Sequence, residues 1–198
     1  MLNHLDGQLR ALQKIVERLD RNKLEVLLQD MVSTVKNGGK IIATALGKNV
    51  PICEKFIGTL ISLGIPSYFL HTNSAVHGDL GAVGPSDLVL VLSKSGETEE
   101  SIYLYEHLER KGANVYVLTY NCNSTLAKIS KNKICLYLEH EGDPWNIVPN
   151  NSTIGYLFIL QALAMELIDR LQIPLSVFKE NHPGGAIGKK LRALGDGR

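Results

Sequence analysis

The amino-acid sequence predicts an α/β protein: a doubly wound, five-stranded, mainly parallel sheet held between helical layers as an α-β-α sandwich. Short, nearly all-apolar β-branched runs recur along the chain, and stretches with helical spacing lie between them. Strands apolar on both faces belong in a sheet covered on both sides, and parallel strands need crossover helices. The length, 198 residues, suits one such domain, because a chain of this size hides roughly 70% of its unfolded surface without disulfide or metal support. No repeat, low-complexity tract or linker marks a second unit. The expected organisation is one domain over 1–198, with N-terminal helices over 1–36 and the α/β core and C-terminal helices over 37–198.

Leu2, Leu5, Leu9, Leu12, Val16 and Leu19 recur at spacings of three and four, drawing one apolar stripe along a helix. Leu24, Leu27, Leu28, Met31 and Val35 resume it after a break near Asp20–Asn22. The stripe suits packing on the core or a subunit contact, and it spans too few heptads to separate the two. "NGG", Asn37–Gly39, ends this region as glycines past a helix end do. The first strand is read in "KIIATAL", followed by a helix over 48–63, and the second in "SYFLH". "DLVLVLS" gives the third, with a helix over 97–111; "NVYVLTY" gives the fourth, with a short helix near Thr125; "KICLYL" gives the fifth. A long helical run, "NSTIGYLFILQALAMELIDRL", begins near Ile154, and "HPGGAIGKKLRAL" from His182 holds one more helix start.

Lysine plus arginine number 21 against 20 acidic residues, so there is no electrostatic footprint for nucleic acid or an anionic membrane, and any anion site must be local. No stretch approaches the ~20 apolar residues of a membrane span, and the N-terminus has no leader pattern. Cys53, Cys122 and Cys135 are odd in number and lack a CxxC pair, which predicts small packing residues, with neither a disulfide framework nor a zinc site. The expectation is a soluble, cytoplasmic protein.

The stretch "VLSKSGETEES", Val91–Ser101, places hydroxyls and a glycine where a buried strand turns into a helix. In an open parallel sheet that is where ligands bind, because free N–H groups and the helix dipole attract anions. Gly96 lets the backbone close round an anion, and Ser93, Ser95 and Thr98 offer hydroxyl donors, so phosphate is the expected ligand. Plain capping, with Glu97, Glu99 and Glu100 complementing the dipole, needs only one hydroxyl. No GxxxxGKS/T or GxGxxG pattern points to a nucleotide. "NNST", Asn150–Thr153, opens a second helix, where Ser152 and Thr153 either cap it or give secondary phosphate support.

Taken together, "GK" at Gly47–Lys48, "H-x5-HGDLG" from His71, "SKSGETEE" from Ser93, the acidic residue in "EGDP", "PNNST" from Pro149 and "HPGGAIGKKL" from His182 make the chain resemble the sugar isomerase (SIS) domain family. Within it they match the arabinose-5-phosphate isomerase branch, from Gly38 to Leu191. The resemblance implies a flavodoxin-like core and an aldose–ketose isomerase acting on a phosphorylated sugar through an enediol, without metal or cofactor. It carries catalytic roles to Lys48, His77, Glu100, Glu141 and His182, each of the matching residue type. A carboxylate in a partly dry pocket has its pKa raised and suits a proton shuttle, which leaves Glu100 and Glu141 both as candidate bases. His182 or His77 would open the sugar ring, and Lys48 would hold a hydroxyl or the growing negative charge.

The residues taken alone also allow blander roles. His77 could cap a helix with Asp79 as partner, Lys48 could be a solvated lysine, and both glutamates could be surface charges. His71 has equal claims to lining the pocket and to closing the strand. The resemblance further implies a homodimer or homotetramer with sites at subunit contacts, where His182 serves a neighbour. Relatives often continue into paired CBS modules, and a chain stopping at Arg198 predicts a stand-alone domain.

Departures from the branch are "TALGKNVP", where its first loop reads GxGKSG, and "EGDPWN", which adds Asp143 and Trp145. The lost serine leaves the preferred sugar open, and Trp145 is expected at the pocket edge, with the core as its alternative. Two other readings stand beside the isomerase. One is a 6-phospho-3-hexuloisomerase, a sister branch that ends differently after its C-terminal histidine. The other is a non-catalytic phosphosugar sensor, which would normally carry a DNA-binding region that the N-terminal helices do not resemble.

Overall fold

Alternation inside the strands decides how the layers are built. In β3 (Leu88–Leu92), Leu88, Leu90 and Leu92 join one core cluster while Val89 and Val91 join another, because successive strand residues point to opposite faces. β1 (Ile41–Ala45) and β4 (Asn114–Thr119) divide in the same way, with Ile41, Ala43, Tyr116 and Leu118 against Ile42, Val115 and Val117. A sheet apolar on both faces must be covered twice.

This computed structural model describes residues 2–193; Met1, 194–198 and the side chain of Leu2, first in the expected stripe, lie outside the described residues. β2 (Ser67–Phe69) and β5 (Asn132–Cys135) complete a sheet of order β2-β1-β3-β4-β5, and each neighbouring pair is parallel. The expected mainly parallel, five-stranded sandwich is therefore parallel throughout. One face is covered by α1 (Leu2–Glu17), α2 (Arg21–Lys36), α3 (Val50–Ser62) and α7 (Asn151–Leu171). The other is covered by α4 (Thr72–Ala75), α5 (Glu99–Arg110) and α6 (Thr125–Ile129). α3 leaves β1 toward the first face and α5 leaves β3 toward the second, so the chain changes direction between the neighbours β1 and β3, and a crevice opens at their carboxyl ends.

The stripe on α1 and α2 packs inward: Ile15, Leu27, Leu28 and Met31 are buried, with Leu12, Leu19, Leu24 and Val35 against them. Asp20 caps the second helix, accepting from the Lys23 amide at 3.1 Å. Among the described residues no helix is long and apolar enough to cross a membrane. α8 (Leu175–Glu180) and α9 (Gly185–Ala193) follow α7. The sequence showed no helix at α4 or α8, whose four and six residues make little more than one turn each.

The cysteine expectation is corrected for two of three residues. Cys122, in the loop after β4, and Cys135, ending β5, are joined as a disulfide with Cα atoms 5.7 Å apart. Parallel pairing of Thr119 with Cys135 brings the two together, which no spacing rule could show. Cys53 is the buried packing residue expected, and burial pushes its thiol up to about 12.

Leu90 lies in the central strand with no solvent exposure. Leu90→Ala is expected to cost about 2–5 kcal/mol through lost burial and an unfilled cavity, read as a lower urea midpoint at unchanged slope; a loss under 1 kcal/mol would mean the core collapses around the gap.

Candidate functional site

The loop between β3 and α5 is shaped by its own polar groups. Ser93 Oγ accepts from the Gly96 amide and Ser95 Oγ from the Glu97 amide, both at 3.2 Å, so each hydroxyl keeps its proton free for another acceptor. Gly96 has φ +66°, and a Cβ there would stand 2.1 Å from Ser124 Oγ. Glycine is therefore required at this position. Thr98 occupies the N-cap of α5 with extended backbone, yet its side chain makes no capping bond. The hydroxyl that capping would use is left for another partner.

Opposite this loop, a 3-10 turn at Gly47–Asn49 follows β1 and carries Lys48. The two segments enclose a cleft of about 340 Å³ lined by Lys48, Ser93, Lys94, Ser95, Thr98 and Ser152, with Pro149 at its rim. The structure thus brings Lys48, Ser93, Ser95 and Thr98 together at the crevice between β1 and β3, while Gly96 is buried within the loop and does not line the cleft.

Glu141 lies behind that cleft with no exposure. Its Oε1 accepts from Ser152 Oγ and meets the Lys94 ammonium, both at 2.6 Å, while Oε2 accepts from the Asn150 and Ser152 amides at 3.0 and 2.9 Å. Burial pushes this carboxyl up, but the Lys94 ammonium and the Ser152 and Asn150 donors outweigh it and hold the group below the usual carboxylate range. The expectation of a raised pKa is overturned for Glu141. Its carboxylate also occupies the N-terminus of α7, where phosphate support was expected from Ser152 and Thr153. Ser152 gives its hydroxyl to Glu141, and Thr153 gives its hydroxyl to the Asn150 carbonyl at 2.7 Å.

Glu100 and His77 are both exposed and line a neighbouring groove of about 740 Å³ between α4 and α5, with Thr72, Glu99 and Tyr103. His77 caps neither flanking helical turn. His71 is the capping residue, its Nδ1 accepting from the Asn73 amide at 3.3 Å. His182 follows α8, whose Val177 approaches Gly64 and whose C-cap Asn181 donates to the Ser62 carbonyl at 3.3 Å. That contact lies at the far end of α3 from the cleft. His182 Nδ1 donates to the Phe178 carbonyl at 2.8 Å and its ring stacks on Phe178 at 4.0 Å. Trp145 is 72% exposed, so it is not core, and it stands on a loop whose Asp143 carboxylate accepts from the Trp145, Ile147 and Val148 amides.

Sequence reasoning missed Lys94. It sits inside the quoted motif, but its pairing with Glu141 depends on the long helix starting beside the β3–α5 loop, and no periodicity reports that. Among the described residues no group of three or more His, Cys, Asp or Glu side chains is placed to hold a metal ion.

A family model described as "SIS domain" matches residues 35–165. The chain is 36% identical over 187 residues to arabinose 5-phosphate isomerase KpsF of Escherichia coli, covering 94% of this chain and 56% of that protein. It is 35% identical over 153 residues to arabinose 5-phosphate isomerase KdsD of Pseudomonas aeruginosa PAO1, covering 77% and 47%. The chain thus spans about half the length of the curated relatives it matches. A solved Escherichia coli CFT073 protein in complex with arabinose 5-phosphate superposes with a TM-score of 0.85 at 28% identity, covering 92% of this chain and 95% of that one.

Gly96→Ala is expected to cost more than about 1 kcal/mol, from a strained φ together with the Ser124 clash, and to weaken inorganic phosphate binding; wild-type stability and affinity would show that the loop can shift aside. Glu141 fixes an acid-side effect as well. Its folded pKa lies below the ordinary 4.5, so its stabilisation is complete above that value and is lost as pH falls through the lower folded value. Glu141→Gln is therefore expected to flatten the fall of Tm on the acid side of about pH 4.5; an acid slope equal to the parent's would remove Glu141 as its source.

Proposed function

We propose, given that this chain belongs to the SIS domain family, that it is a phosphosugar isomerase interconverting an aldose phosphate and a ketose phosphate through an enediol, with arabinose 5-phosphate and ribulose 5-phosphate as the pair. The observation that carries the reading is the cleft at the β1–β3 crevice, where Ser93, Ser95 and Thr98 keep hydroxyl donors free beside Lys48 and the N-terminus of α5. A phosphate monoester matches those donors and the helix dipole. The names of the Escherichia coli and Pseudomonas aeruginosa relatives, and the arabinose 5-phosphate complex of the CFT073 protein, support a five-carbon sugar.

Glu100 is the proton carrier in this reading. It takes the proton from the carbon beside the carbonyl and returns it to the former carbonyl carbon, while the hydroxyl proton passes from the one oxygen to the other and Lys48 stabilises the enediolate oxygen that becomes negative in between. Glu141 does not fit that role, because both its oxygens are engaged and it is held as a carboxylate. His77, on the groove shared with Glu100, is placed to move protons on the ring and anomeric oxygens. His182 lies beyond the other end of α3 and would act in the site of another copy, so the proposal includes a homodimer or homotetramer with composite sites. It also includes a single domain working in the cytoplasm without nucleic acid, metal or cofactor, and the near-zero net charge of +1 supports a small-molecule partner.

Purified protein incubated in heavy water with ribulose 5-phosphate is expected to give arabinose 5-phosphate with deuterium at the carbon next to the carbonyl, seen by NMR. Glu100→Gln is expected to lower turnover by about 10²–10⁴-fold while phosphosugar binding persists. Turnover kept within tenfold removes Glu100 as the base, and tight binding without exchange replaces the isomerase by a phosphosugar sensor.

A further inference from the structure

Lys94 stands between Ser93 and Ser95, and its side chain has two neighbours of different kinds. Its ammonium lies 2.6 Å from Glu141 Oε1. The same side chain is 37% exposed and lines the cleft beside Lys48, Ser93, Ser95 and Thr98. An ammonium has three N–H donors, so a single bond to Glu141 leaves the others for whatever enters the cleft.

The partners of Glu141 make this arrangement asymmetric. The Asn150 and Ser152 amides and the Ser152 hydroxyl all come from the start of α7, while Lys94 arrives from the β3–α5 loop. Tyr120, at the end of β4, and Tyr156, on α7, also face this region; their hydroxyls donate to the Ser152 and Leu118 carbonyls, and burial keeps both phenols neutral. Lys48 stands across the cleft without an ion pair to Glu141. Among the described residues Lys94 is thus the cation that pairs with this carboxylate, and it straps the phosphate loop to the start of α7.

We propose that Lys94 is a positioning and specificity-determining residue of the cleft: one ammonium donor fixes Glu141 and the α7 N-terminus, and the remaining donors meet the phosphate of the bound sugar, so that affinity for a dianion depends on Lys94 as well as Lys48. The half that concerns the sugar rests on the isomerase reading, whereas the half that concerns the anion rests on the loop geometry. Lysine suits the task because its three rotatable donors can serve a buried oxygen and a ligand from one point charge.

The test is calorimetric titration with inorganic phosphate and with arabinose 5-phosphate, alongside turnover and the pH dependence of Tm. Lys94→Met is expected to weaken both ligands at least tenfold and, by leaving Glu141 without its cation, to move the acid-side fall of Tm to higher pH; Lys94→Arg is expected to recover most of the affinity. The double variant Lys94→Met/Glu141→Gln leaves no unpaired buried charge and keeps the question answerable should Lys94→Met not fold. It is expected to bind phosphate at least tenfold more weakly than Glu141→Gln alone. A lower Tm with unchanged phosphate affinity in both comparisons overturns the proposal and leaves Lys94 a structural strap. Weakened phosphate binding in a protein that isomerises no sugar supports Lys94 and removes the isomerase reading; normal turnover with unchanged affinity in the Lys94 variants does the reverse.

Discussion

Five parallel strands bring every strand's carboxyl end to one edge of the sheet, and that constraint organises the chemistry. Each strand end is followed by a turn into a helix or loop, so backbone N–H groups collect along the same edge. The order β2-β1-β3 then sends α3 and α5 to opposite faces, and the gap between their starts cannot be filled by either helix. What fills it must come from short loops. Gly47–Asn49 and Ser93–Thr98 supply small polar side chains and one lysine each, and the result is a cleft that favours anions in a protein whose net charge is only +1.

The start of α7 answers the same physics in a different way. Its N–H groups are taken by the protein's own carboxylate, Glu141, and not left for a ligand. An ionised carboxylate without exposure persists only when its hydrogen-bonding capacity is filled and a cation is near, and both conditions are met by Ser152, Asn150 and Lys94. The two helix N-termini at this edge therefore divide their tasks. α5 stays open with an uncommitted Thr98, and α7 is closed and tied to the loop that serves α5.

Much of this was legible from sequence. The central strands announced themselves because a doubly covered sheet leaves few polar residues within them, and the β3–α5 loop drew notice because hydroxyls clustered behind such a strand exceed what capping needs. Lys48, Ser93, Ser95 and Thr98 line one cleft. Ser152 and Thr153 showed the limit of pattern reading: hydroxyls at a helix start look the same whether a ligand or a neighbouring carboxylate takes the N–H groups. The Cys122–Cys135 pairing and the Lys94–Glu141 pair were hidden for one reason, since each joins loops whose proximity is set by sheet register and helix placement and not by spacing along the chain. The position of His182 beyond α3 follows from α8 docking on Ser62–Gly64, a contact made by a helix too short to recognise.

The two glutamates show why a motif match does not settle a role. Both agree in residue type with the same family pattern, and the general argument that burial raises a carboxyl pKa favours Glu141, the buried one. Its surroundings reverse that result, because desolvation is only one contribution and an ammonium with several donors opposes it. A carboxylate so engaged can receive a proton from substrate only by giving up a partner. Glu100 faces an open groove and is under no such constraint. Proton transfer needs a group that can change its charge without dismantling its site, and of the two carboxylates only Glu100 meets that condition in this protomer.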